Sequence, residues 1–163
     1  MQDSPEERIN RLLTGRGLWL AVAESCTGGL ISHRITNIAG ASAYFRGGIV
    51  SYANEAKMVL LGVQKSTLDR FGAVSEQTVK EMATGVRNIL SADFGLAVSG
   101  IAGPGGGTVD KPVGTTWVGL STSGEEIRQR FWFQGDRSQI KEQAAQAALD
   151  LLLRYLDSLL PHE

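Results

Sequence analysis

Leu18-Trp19-Leu20-Ala21-Val22-Ala23-Glu24-Ser25-Cys26-Thr27-Gly28-Gly29-Leu30-Ile31 is the stretch on which the reading of the fold turns. The apolar run from Leu18 to Ala23 is too short for a helix and reads as a buried strand. Glu24 to Gly29 is polar and small, which suits a tight turn. Leu30, Ile31, Arg34 and Ile35 then continue at helical spacing to about Asn37. The result is a strand, a turn and a helix in about twenty residues.

The same grammar repeats on either side. Upstream, Ser4-Pro5-Glu6-Glu7 has the pattern of a helix start: Ser4 caps, Pro5 fits the first turn and Glu7 completes a capping box. Ile9, Leu12 and Leu13 give that helix one apolar stripe, and Gly15 and Gly17 are placed to end it. Downstream, 47–52 reads as a strand, Asn54 to Leu61 as a helix and Ser66 to Phe71 as a short helical turn. Ser75 caps a longer helix whose stripe is Val79, Met82, Ala83, Val86 and Leu90. Phe94 to Ser99 is an apolar strand, and Gly100 to Pro112 a long glycine-proline loop. Thr115 to Thr122 and Ile127 to Phe133 form two strands joined at Ser123-Gly124. Asp136 or Ser138 caps a last helix, striped by Ile140, Ala144, Ala148, Leu151, Leu152, Tyr155 and Leu159. Interleaved helices and strands predict a three-layer α/β/α fold. The hairpin makes its sheet of about five strands mixed, though mostly parallel. No linker, repeat or low-complexity segment interrupts residues 1–163, so a single domain is expected.

Bulk composition narrows the function classes. The chain has 163 residues, 42% of them apolar and 20% charged, with a formal net charge of -1. That length buries a core without staples. The charge balance gives no reason to expect a nucleic-acid partner. No apolar run approaches the ~20 residues that span a membrane, and the acidic N-terminus lacks the features of a signal peptide. A lone cysteine, Cys26, fits a reducing compartment. A cytoplasmic protein with no membrane association is the expectation. Scattered carboxylates and the absence of a His-x-x-Glu-His grouping argue against a metal site, and no cofactor is implied. A small domain with a site on a sheet edge often forms homo-oligomers, of a number the sequence leaves open.

Three segments fall at predicted carboxyl ends of strands, where open α/β sheets bind ligands. They are 24–29, 52–57 and 99–108. In the first, Ser25 sits on a sharp turn, with backbone N–H groups following it at a helix start. That arrangement suits an oxyanion or a phosphate, although on spacing alone a helix cap is the commoner use of Ser25 or Thr27. A serine hydroxyl needs a base to take its proton. Neither histidine is well placed: His162 is next to the C-terminus, and His33 lies more than a turn along the helix. Lys57 is the other candidate, with Tyr52 to relay or orient a proton. A lysine base must be neutral, and each pKa unit of depression costs roughly 1.4 kcal/mol. Without such burial, Lys57 is a surface lysine on a helix. Cys26 is a rival nucleophile, since thiols at helix starts are activated. The third segment, Ser99 to Thr108, is glycine-rich and can present bare amides to an anion, or form a flexible loop. It is neither a Walker A loop nor a dinucleotide fingerprint. Lys111 could add charge to a bound phosphate.

Taken in order, five motifs resemble the CinA C-terminal domain family. They are Ala23-Glu24-Ser25-Cys26-Thr27-Gly28-Gly29, Tyr52-Ala53-Asn54-Glu55-Ala56-Lys57, Gly72-Ala73-Val74-Ser75, Ser99-Gly100-Ile101-Ala102-Gly103-Pro104 and Lys111-Pro112-Val113-Gly114-Thr115. The resemblance runs from about residue 8 to about 156. It implies a standalone amidohydrolase of bacterial pyridine nucleotide salvage. The implied reaction takes nicotinamide mononucleotide to nicotinate mononucleotide and ammonia, with no metal. It matches the family's serine to Ser25, its lysine to Lys57 and its tyrosine to Tyr52. Cys26, Thr27, Gly28, Gly29, Ser99, Gly100, Gly103, Gly105, Gly106 and Thr115 then fall on segments lining the substrate site, with the glycine loop on the 5′-phosphate. In the alternative reading, the same fold is a nucleotide-binding or regulatory module without turnover.

Overall fold

A computed structural model describes residues 2–161. The predicted His162 lies outside the described residues. One five-stranded sheet runs through the molecule in the order β2-β1-β3-β4-β5. Its strands are β1 (Leu20–Glu24), β2 (Phe45–Val50), β3 (Phe94–Gly100), β4 (Thr115–Ser121) and β5 (Glu126–Trp132). β1 pairs in parallel with both β2 and β3, while β4 runs antiparallel to β3 and to β5. Only β4 therefore opposes the common direction.

Six helices cover the two faces: α1 (Pro5–Arg16), α2 (Leu30–Thr36), α3 (Asn54–Leu61), α4 (Lys65–Phe71), α5 (Glu76–Ile89) and α6 (Arg137–Ser158). Side chains alternate across a strand, so one strand feeds two cores. Leu20 and Val22 of β1, with Leu96 and Val98 of β3, pack against α1, α2 and α6. Ala21, Ala23 and Ala97 face the opposite way, toward α3, α4 and α5. Small residues on this second face let α5 come close. A Cβ at Gly95 would collide with the carbonyl oxygen of Ala83 in α5, so only glycine fits there.

Helix signals in the sequence are realised with one change. Ser4 and Glu7 form the reciprocal capping box, and Gly17 ends α1 in the left-handed conformation. Gly15, expected to help end this helix, lies inside it. Its missing side chain costs helix stability there but does not stop the helix, because Gly17 offers the better cap. Ser75 caps α5, and Asp136 rather than Ser138 caps α6, again with a capping box through Gln139. The sequence reading also lacked the 3-10 turn at Ala41–Ala43. The long loop between β3 and β4 is tied at several points. Lys111 Nζ donates to Phe71 O, Arg130 to Asp110 O and Trp132 Nε1 to Val113 O. No helix is long and apolar enough to cross a membrane among the described residues.

Candidate active site

The first, second and third strands all end on the same edge of the sheet. β1 ends at Glu24, but the ladder continues for one residue, because the Ser25 amide still donates to Val98 O. Alternation therefore turns Glu24 toward the α2 side and Ser25 toward the α3 side. The Ser51 amide, just past β2, donates to Glu24 O and ties the two strand ends together.

Glu24 is completely buried. Its carboxylate accepts from Thr27 Oγ1 (2.7 Å), the Ile31 amide (2.9 Å), the Ser32 amide (3.0 Å) and Ser32 Oγ (2.7 Å). Four donors offset the cost of burying a charge, and two of them are amides that the start of α2 leaves unpaired. Gly28 and Gly29 carry the chain from Ser25 into this helix with φ of 61° and 107°, values that side chains with a Cβ adopt with strain. Within the turn, Gly28 donates to Ser25 O and Leu30 to Thr27 O. The amides of Thr27 and Gly29 have no hydrogen-bond acceptor among the described residues. The turn thus presents unsatisfied donors beside a serine.

On the other side of Ser25 stands Lys57, from the first turn of α3. It is 1% exposed. Its Nζ lies 2.9 Å from Ser25 Oγ, 2.8 Å from Ser51 O and 3.0 Å from Tyr52 O. An ammonium would donate to all three. A neutral amine keeps two N–H groups for the two carbonyls and points its lone pair at the serine hydroxyl. Burial pushes the pKa of Lys57 below its ordinary value, which favours the second arrangement. Cys26 is also buried, and burial pushes its thiol up to about 11. A thiol so raised stays protonated at neutral pH, which disfavours Cys26 as a nucleophile.

Other residues singled out in the sequence divide into those gathered here and those held elsewhere. Tyr52 meets Lys57 through its carbonyl. Its phenol, 60% exposed, turns outward and accepts from Arg137 Nη2 at 3.0 Å. Thr27 spends its hydroxyl on Glu24. Gly100 ends β3 close to Cys26, where a Cβ would sit 3.1 Å from Sγ. Gly103 O accepts from Arg137 Nη1 at 2.6 Å. Gly105 and Gly106 are exposed on the loop. Ser99 is buried and donates to Ala73 O, and Thr115 is buried and donates to Pro112 O. Lys111 lines a separate depression with Arg70, Val74 and Trp117. His33 is exposed, with its ring against Asn37.

Three contributors escaped the sequence reading: Glu24, Arg137 and Lys141. Each left a signal. Glu24 closes an otherwise apolar strand, where a charge needs a reason. Arg137 and Lys141 stand in the first two turns of α6, and Arg137, in the first turn, opposes the helix dipole. Arg137 bridges Gly103 and Tyr52. Lys141 reaches the serine turn itself: a Cβ on Gly28 would lie 3.7 Å from its Nζ. No cluster of three or more His, Cys, Asp or Glu side chains able to hold a metal occurs among the described residues.

Known proteins share this arrangement of sequence and fold. The CinA C-terminal domain pattern matches residues 2–156. A nicotinamide-nucleotide amidohydrolase, PncC, of Enterobacter agglomerans is 51% identical over 147 residues, covering 90% of both chains. A putative competence-damage inducible protein of Thermoanaerobacter sp. (strain X514) is 51% identical over 155 residues, 95% of this chain. This chain spans only 38% of that longer relative. Among solved structures, competence damage-inducible protein A of Klebsiella pneumoniae superposes with a TM-score of 0.92 at 36% identity, covering 96% of this chain and 97% of that one. A competence/damage inducible protein of Agrobacterium tumefaciens superposes with a TM-score of 0.90 at 41% identity, covering 94% and 93%. With its pattern matched over nearly the whole chain, the protein belongs to the CinA C-terminal domain family.

Proposed function

We propose that the protein hydrolyses the carboxamide of nicotinamide mononucleotide, giving nicotinate mononucleotide and ammonia, with Ser25 as nucleophile and Lys57 as its base. The observation that carries this reading is the buried Lys57 Nζ 2.9 Å from Ser25 Oγ, in a chain 51% identical to a named nicotinamide-nucleotide amidohydrolase.

Neutral Lys57 accepts the Ser25 proton through its lone pair while Ser51 O and Tyr52 O hold its two N–H groups. The Ser25 oxygen bonds to the carboxamide carbon, and the carbonyl electrons move to oxygen. Unsatisfied amides in the turn after Ser25 are in place to stabilise that oxyanion. The tetrahedral intermediate collapses by breaking its C–N bond. Lys57, now an ammonium, returns the proton to the leaving nitrogen, and ammonia departs. Water then attacks the acyl-enzyme, with Lys57 taking its proton and giving it back to Ser25. Lysine serves here because it can lose its charge in a dry site, where a carbonyl-lined cage still satisfies the neutral amine.

Arg137, which bridges Gly103 O and Tyr52 Oη, contacts the base and sugar of the substrate in this reading. In this reading the molecule needs no cofactor.

Ammonia release from nicotinamide mononucleotide by the purified protein tests the reading directly. Turnover with a 1:1 yield of nicotinate mononucleotide is the expected result. Binding without release would mark a nucleotide-binding module instead. The same assay separates the two adjacent nucleophiles. Cys26→Ala is expected to keep kcat within about threefold, because a thiol held up to about 11 is not the attacking group. Loss of activity in Cys26→Ala, with Ser25→Ala active, would reverse the assignment.

A further inference from the structure

We propose that Lys141 is the cation that receives the phosphate of the nucleotide substrate and so sets the preference for a nucleotide over its nucleoside. The inference rests on the amidohydrolase reading of the same site.

Two cations stand within the first two turns of α6, at positions 137 and 141. One helical turn apart, they share a face and repel one another. Helix α6 runs for 22 residues, and its amino end is itself electropositive. Asp136, the acid nearest this end, is engaged as the helix cap, accepting from the Gln139 amide at 2.9 Å. The two cations are not equivalent. Arg137 commits Nη1 to Gly103 O and Nη2 to Tyr52 Oη. Lys141 has no hydrogen bond or salt bridge among the described residues. It lines a depression of about 380 Å³ with Leu30, Arg137, Ser138 and Glu142. The same ammonium faces Gly28, three residues beyond Ser25, with only a β-carbon's width between them.

An uncommitted ammonium beside the nucleophile turn, in a depression large enough for a phosphate, is what a monoester dianion needs. The dianion would offset the repulsion between Arg137 and Lys141. It would also accept from any turn amide that the oxyanion does not use. Glu142 also lines the depression, and its carboxylate opposes the anion that Lys141 and Arg137 attract. By contrast, the glycine loop tip at Gly105 and Gly106 carries no cation of its own, and Lys111 is held against Phe71 O.

The test compares nicotinamide mononucleotide with nicotinamide riboside, which lacks the phosphate, in wild type, Lys141→Met and Lys141→Arg. The ratio of kcat/KM for nucleotide over nucleoside is expected to fall by about 10- to 100-fold in Lys141→Met, mainly through KM for the nucleotide. Lys141→Arg restores most of it. An unchanged ratio in Lys141→Met, whether both rates fall or neither does, overturns the proposal. If wild type turns over neither compound, the same ratio is read from Kd values in calorimetric titrations. A ratio of Kd values that falls in Lys141→Met would then uphold Lys141 while the amidohydrolase reading fails. Equal Kd values for the two compounds in wild type would overturn both.

Discussion

Ser25→Ala is expected to lower ammonia release from nicotinamide mononucleotide by about 10⁴-fold or more, because the covalent route loses its nucleophile entirely. That factor corresponds to about 5.4 kcal/mol of lost transition-state stabilisation. Binding and oxyanion donors survive in the variant, so a residual rate above the uncatalysed one is expected as well. The fold has little at stake. Ser25 anchors the turn through its amide to Val98 O and its carbonyl to Gly28, both of which alanine keeps. Only the contact from Lys57 Nζ is lost, and a single hydrogen bond of this kind is worth about 1 kcal/mol. Thermal unfolding followed by circular dichroism should show a shift of a few degrees at most, while ammonia production falls to that residual rate and no acyl-enzyme is trapped. An active Ser25→Ala would remove serine from the mechanism.

Lys57→Met is the second large effect. General-base loss is worth about 10²- to 10⁴-fold, and the variant should sit at the upper end because no other base touches Ser25 Oγ among the described residues. In wild type, kcat/KM should rise with pH as Lys57 loses its proton, with a midpoint below the ordinary lysine value of 10.5. The variant should lose that rise. A wild-type profile with no rise anywhere below pH 10.5 would exclude a titrating lysine base.

The same residue carries a stability signature of definite sign. Burial lowers the folded-state pKa of Lys57, so between that value and 10.5 the unfolded chain holds a proton that the folded chain has lost. Wild-type stability therefore gains as pH rises through that window, and the burial penalty is fully present below it. Methionine has no such proton. Urea midpoints of wild type and Lys57→Met, compared across the window, should move in favour of wild type as pH rises.

Much of the secondary structure was legible because local chemistry dictates it. Ser4 with Glu7, Ser75 and Asp136 announced three helices through their caps, and α3 falls on Asn54–Leu61 as its spacing required. Gly15 misled because a glycine inside a helix and one beyond its end look alike in sequence. Left-handed geometry at Gly17, set by carbonyls a turn earlier, selects the real end.

The candidate site was half legible. Ser25 and Lys57 could be named in advance, but spacing alone left Ser25 with a helix cap as its commoner use and Lys57 with a place on the surface. In the fold, the carboxylate of Glu24 accepts from the amides at the start of α2, which leaves the Ser25 hydroxyl unassigned to capping. Tyr52 was picked for its phenol, whereas its carbonyl is the group that reaches Lys57. No sequence pattern distinguishes a residue's backbone oxygen from its side chain.

Opening stretch 18–31 by itself determined a strand, a turn and a helix, and with its neighbours the layered α/β architecture. These depend on periodicity, capping and glycine conformations, which act over a few residues. Tertiary structure alone decided that the turn holds Ser25 within 2.9 Å of a lysine 32 residues away, and that Arg137 and Lys141 overlook it from a helix more than a hundred residues on. It also lowered the pKa of Lys57, because desolvation is a property of everything packed around an atom. Parity along β1 links the two levels: it directs Glu24 into the α2 face and Ser25 toward α3, but only the sheet assigns a helix to each face.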